Sequence, residues 1–73
     1  MKIEIENTDK IVEVSGVPAR VWEGKTSSGI PVHCFVTRII PQTNKDIEVF
    51  EQELMQTRVP SPEILAYPMR LAL

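Results

Sequence analysis

The stretch ARVWEGKTSSGIPVHCFVTRII, residues 19–40, decides the fold. Ser27, Ser28 and Gly29 sit at its centre as a three-residue turn, with Gly29 suited to the left-handed position of a bulge. The flanks, about Ala19 to Thr26 and Ile30 to Ile40, are rich in β-branched and aromatic residues and read as paired strands. That turn predicts a register in which Val21 faces Phe35, Trp22 faces Cys34 and Glu23 faces His33. Ile30, Val32, Cys34 and Val36 share one side and are expected to be core. Val21, Phe35 and Ile39 make the opposite side more apolar than a solvated sheet needs, so both faces call for cover.

Working outward, Lys2 to Val14 reads as a first hairpin, because Ile3 and Ile5, then Val12 and Val14, alternate with polar residues. A two-residue turn at Thr8-Asp9 would set Ile5 opposite Val12 and Ile3 opposite Val14, with all four on one face. Gly16, Val17 and Pro18 separate the two hairpins. Pro41 ends the last strand. Thr43 or Asn44 then caps a helix to about Arg58, whose stripe is Ile47, Phe50 and Leu54. Ser61 and Pro62 suit the cap and first position of one short further turn. Met69, Leu71 and Leu73 alternate with Arg70 and Ala72 as a terminal strand. The expectation is one α+β domain over residues 1–73: an antiparallel meander of four to five strands, ordered ββββ-α-β, with one main helix packed on one face.

A chain of 73 residues is short of core and ordinarily needs a disulfide, a metal or a partner subunit. One cysteine, Cys34, and one histidine, His33, build neither an internal disulfide nor a structural zinc site. A second subunit is therefore expected, and no cofactor is. The net charge is −2, and the cations are scattered, which disfavours nucleic acid. No apolar run has the length of a membrane span, and Met1 to Glu4 alternate in polarity unlike a secretion signal. With a lone thiol, the expected compartment is the cytoplasm.

The chemistry-bearing residues are few. His33 and Cys34 are neighbours on a strand, so they point to opposite faces and cannot act as a base and nucleophile pair. Cys34 fits a small core residue. His33, across from Glu23, makes either a pH-sensitive contact or an ordinary polar pair. Asp46, Glu48, Glu51 and Glu53 spread around the helix as a solvated face, without a second histidine to support acid–base work. Arg20 and Arg38 share the parity of Trp22 on neighbouring strands. Two guanidiniums beside an indole can hold a small anion or nucleotide, or simply cover the indole with their stems. Val21, Phe35 and Ile39 on the sheet, with Val49 and Met55 off the helix stripe, exceed what one helix can cover. With Met69, Leu71 and Leu73 of the terminal strand they mark an interface, unless Ile64–Leu73 folds back over them, and both hold if that segment is exchanged between subunits.

Residues 16–24 and 29–39, GVPARVWEG and GIPVHCFVTRI, resemble small uncharacterised proteins of bacteriophages and bacterial mobile elements. The similarity covers the central hairpin, about a third of the chain. Such proteins share no catalytic motif, so no functional residue is carried over. The resemblance implies a compact accessory protein that binds and blocks a host component or sequesters a small ligand. Residues and resemblance together favour a non-enzymatic binding protein, a homo-oligomer that inhibits or titrates a bacterial target. The alternative is a small-anion or nucleotide binder built on Arg20, Trp22 and Arg38. Third comes an enzyme whose site, around His33 and Glu23, is shared between subunits.

Overall fold

The computed structural model describes residues 1–72 and is α+β. Strands β1 (Ile3–Val14), β2 (Val17–Thr26) and β3 (Pro31–Val36) precede a short 3-10 turn, Asn44–Asp46, that leads into helix α1 (Ile47–Leu54). Helix α2 (Pro62–Leu65) and the two-residue strand β4 (Arg70–Leu71) complete the chain. The sheet order is β3-β2-β1-β4. β1–β2 and β2–β3 are antiparallel, but β4 runs parallel to β1, so the sheet is mixed and not a pure meander.

The central hairpin has the expected register, with Val21 opposite Phe35, Trp22 opposite Cys34 and Glu23 opposite His33. The Gly29 amide donates to the Thr26 carbonyl at 2.9 Å, and Thr26 N–H closes on the Ile30 carbonyl at 2.9 Å. Gly29 takes φ +91°. β3 stops at Val36 and does not reach Ile40. The next bonded pair would need an N–H from Pro18, which has none.

The first hairpin is a correction. The chain does not reverse at Thr8-Asp9; β1 runs straight to Val14, and the reversal falls at Ser15-Gly16, with φ of 49° and 85°. Two consecutive positive φ values define the tight turn that matches strand twist, and glycine fits its second position. Neither Thr8 nor Asp9 offers that freedom. Between Asn7 and Ile11 the register shifts, leaving Thr8, Asp9 and Lys10 opposite Val21. Because β1 is one strand, odd and even residues keep opposite faces. Ile3, Ile5 and Ile11 share a face with Trp22, whereas Val12 and Val14 share the other with Val21.

The buried core is correspondingly reversed. Val12, Ala19, Val21 and Ile64 are its buried apolar residues, with Val14, Phe35, Tyr67 and Leu71 packed against them. It lies on the Val21 face under α2, not around Cys34, which is only half-buried, or Ile30, which is exposed. α1 covers part of the Trp22 face. It ends at Leu54 and not near Arg58, because the Asn7 side-chain amide takes the Leu54 carbonyl at 2.8 Å. The chain then crosses the free edge of β1, where Arg58 N–H donates to the Asn7 carbonyl at 3.0 Å. Rejoining that edge further along, and running in the direction of β1, it leaves Met69 and Leu71 carbonyls bonded to Glu13 and Ser15 amides, each at 2.7 Å.

Candidate functional site

Two groupings of side chains bear on function, one on each face of the sheet. On the Val21 face a polar staple holds the C-terminal segment. Glu23 projects from the middle of β2 and is only 8 % exposed. Its Oε2 accepts the Ser61 N–H at 2.9 Å and has the Arg58 Nε at 3.7 Å. Ser61 also caps α2, its Oγ accepting the Ile64 N–H at 3.4 Å, as its place before Pro62 predicts. Burial alone would push the Glu23 carboxyl up. The Ser61 amide and hydroxyl, then Arg58 and His33, outweigh it and hold the group below its ordinary 4.5.

His33 stands opposite Glu23 but turns to Tyr67, and its Nδ1 shares a 2.8 Å hydrogen bond with the Tyr67 hydroxyl. The Tyr67 ring also meets Phe35 edge-on, with centroids 5.3 Å apart. Ser61, Arg58 and Tyr67 are therefore the partners that strand pairing alone did not reveal. Among the described residues, no buried side-chain nitrogen or oxygen lacks a hydrogen-bond partner. What this grouping does, on its geometry, is fasten: each polar group on the sheet meets one on the segment that covers it.

On the Trp22 face, Arg20, Trp22 and Arg38 line one cleft of about 280 Å³ together with Ile11, Ile39 and Leu54. β2 supplies Arg20 and Trp22, and the segment leaving β3 supplies Arg38 and Ile39. Arg20 is partly committed, since its Nη1 donates to the Thr8 carbonyl at 3.1 Å. The cleft is framed mainly by apolar side chains. Arg38 is exposed and Trp22 half-buried.

The expected interface residues scatter. Val21 is fully buried in the chain's own core, with Phe35 and Leu71 packed against it, so the C-terminal segment does fold back over this face. Ile39 and Met69 remain exposed, and Leu73 lies outside the described residues. The open apolar surface is elsewhere. Ile3 and Ile11 are exposed on the Trp22 face, and Ile47 and Val49 on α1, which is too short to cover that face.

Asp46, Glu48, Glu51 and Glu53 are all exposed on α1 and the turn before it, as a solvated face should be. Among the described residues, no three His, Cys, Asp or Glu side chains are grouped to hold a metal ion. No helix among them is long and apolar enough to cross a membrane. No protein-family model, curated protein or solved structure matches the chain.

Proposed function

We propose that this chain is a non-enzymatic binding protein that works as a homo-oligomer and presents the Trp22 face to its target. The observation that carries the reading is the amount of surface left open. A folded monomer of 8.3 kDa exposes about 4,600 Å², whereas this chain exposes 5800 Å². Its radius of gyration is 13.2 Å, against about 11 Å for a compact chain of this length. Part of that surface is apolar, with Ile3 and Ile11 exposed on the Trp22 face and Ile47 and Val49 on α1, and contact with another molecule would stabilise it. Following the resemblance of the central hairpin, the target is a bacterial protein that the oligomer inhibits or titrates.

Sedimentation velocity across a wide concentration range tests the oligomer. A species heavier than one chain that persists at micromolar concentration supports the reading; a single 8.3 kDa species throughout removes it.

A second reading is favoured by one observation, that Arg20, Trp22 and Arg38 do line a common cleft. In it the protein sequesters a small anion or nucleotide, the rings stacking on Trp22 and the phosphate meeting the guanidiniums. Thermal shift with a panel of nucleotides checks it. Stabilisation that vanishes in the Arg38→Ala variant supports this reading, and no shift with any nucleotide discards it.

A further inference from the structure

We propose that two copies join antiparallel along β3, with Cys34 of one chain opposite Cys34 of the other. This rests on the homo-oligomer reading and names its contact. Among the described residues β3 pairs only with β2, so its outer edge is free. The Thr26–Ile30 closure sets which groups face inward. Counting along the ladder, Val32, Cys34 and Val36 exchange bonds with β2, while His33 and Phe35 aim their N–H and C=O groups outward. No backbone bond from another part of the described chain reaches those outward groups.

An open edge of this kind is usually blunted by charge, a bulge or a covering segment. β3, PVHCFV, carries no Asp, Glu, Lys or Arg, so two copies can align without opposing charges. Two registers bring outward groups together near its middle. One centres on His33, placing two imidazoles opposite each other and Pro31, which has no N–H, opposite Phe35. The other centres on Cys34. His33 of each copy then exchanges both backbone bonds with Phe35 of the second copy, Val32 meets Val36, and Pro31 falls outside the ladder. The first register leaves each Phe35 carbonyl without a donor, because Pro31 has none to give, whereas the second pairs every N–H and C=O of His33 and Phe35 and is the one assigned.

Spread over the whole molecule, the chain exposes about 1,200 Å² more than a compact monomer of its mass, so it has surface to give to a standard interface of about 800 Å² per partner. Pairing would extend the sheet across both copies and set their Trp22 faces side by side as one continuous binding surface.

The register gives a sharp test. Cys34 would form a non-bonded pair with its counterpart, Cα atoms about 4.5 Å apart, within the reach of a disulfide. Diamide treatment of the full-length protein at low micromolar concentration should cross-link it rapidly to a dimer, at a rate independent of dilution while the dimer persists. In parallel, His33→Pro removes an outward N–H, whereas His33→Ala loses the same imidazole but keeps that N–H. The expected result is self-association weakened at least about tenfold by His33→Pro relative to His33→Ala. If His33→Pro fails to fold, the cross-linking rate alone decides. A dimer that resists diamide, or one in which both variants associate equally, overturns the β3 contact and leaves self-association standing. A chain that stays monomeric, cross-linking only in proportion to concentration, overturns both.

Discussion

The Ser61 N–H donates to the Glu23 carboxylate at 2.9 Å, which ties the first turn of α2 to the middle of β2. The bond favours the charged carboxylate, and with Arg58 and His33 it overcomes the cost of burial, so the folded-state value lies below 4.5. A depressed carboxyl stabilises the fold fully above its unfolded value and loses that contribution as pH falls through the folded value. Wild-type protein should therefore lose stability below about pH 4.5 more steeply than Glu23→Gln, whose amide oxygen still accepts the Ser61 bond. At pH 7 the variant should be roughly 1–2 kcal/mol less stable. Urea unfolding at pH 3.5, 5 and 7 checks both; parallel pH dependence in the two proteins would contradict the assignment.

Thr8 is fully buried within the register shift of β1, where its hydroxyl donates to the Val21 carbonyl at 2.6 Å and accepts the Lys10 N–H at 3.2 Å. The hydroxyl stands in for ladder bonds that the extra residues displace. Thr8→Val keeps the shape but strands both backbone groups, at a cost of about 1–3 kcal/mol. Thr8→Ser keeps the hydroxyl and loses one methyl, costing about 1 kcal/mol. Serine should therefore be the milder change in chemical denaturation, an order opposite to the one hydrophobic burial alone would give.

Gly24 is needed for space. A β-carbon there would lie 1.8 Å from the Glu4 carbonyl oxygen and 2.7 Å from the Ile5 Cα, both backbone atoms of the paired strand. Gly24→Ala must push β1 and β2 apart and should cost about 3 kcal/mol or more. Its melting temperature, compared with that of Gly16→Ala, checks this. Gly16 has open space around it and only a positive φ of 85° to lose, so that change should cost about 1–2 kcal/mol.

Ile64 is the one fully buried apolar residue that α2 contributes to the core. Truncation to Ala should cost about 2–5 kcal/mol, a large share of the roughly 4–11 kcal/mol available to a domain this small. The C-terminal segment should loosen first. Hydrogen exchange would then quicken at the Glu13 and Ser15 amides, which bond to the Met69 and Leu71 carbonyls, before it does at the β2–β3 ladder.

Legibility of the fold followed the quality of the turn signals. Ser27 to Gly29 bounded by apolar alternation specified the β2–β3 register down to the Glu23–His33 pair. The first hairpin is not legible in the same way, because two apolar segments flanking Thr8-Asp9 look symmetrical, while the glycine that can turn the chain is Gly16. That one displacement moved Ile3 and Ile5 to the face opposite Val12 and Val14, and so exchanged core for surface. The parallel placement of β4 and the partners of Glu23 depend on where residues 55–69 travel. No local periodicity records that path, although the Ser61-Pro62 cap was readable. Arg20, Trp22 and Arg38 could be grouped because strand parity alone puts them together.

We propose that a second copy of the chain, and not a small ligand, completes the fold. Native mass spectrometry on gently purified protein tests it most directly, by recording subunit count and any residual mass together. The expected result is a species of twice the 8.3 kDa chain mass with nothing added. A monomer carrying extra mass that is lost on denaturation would contradict it and transfer the function to the Arg20, Trp22 and Arg38 cleft.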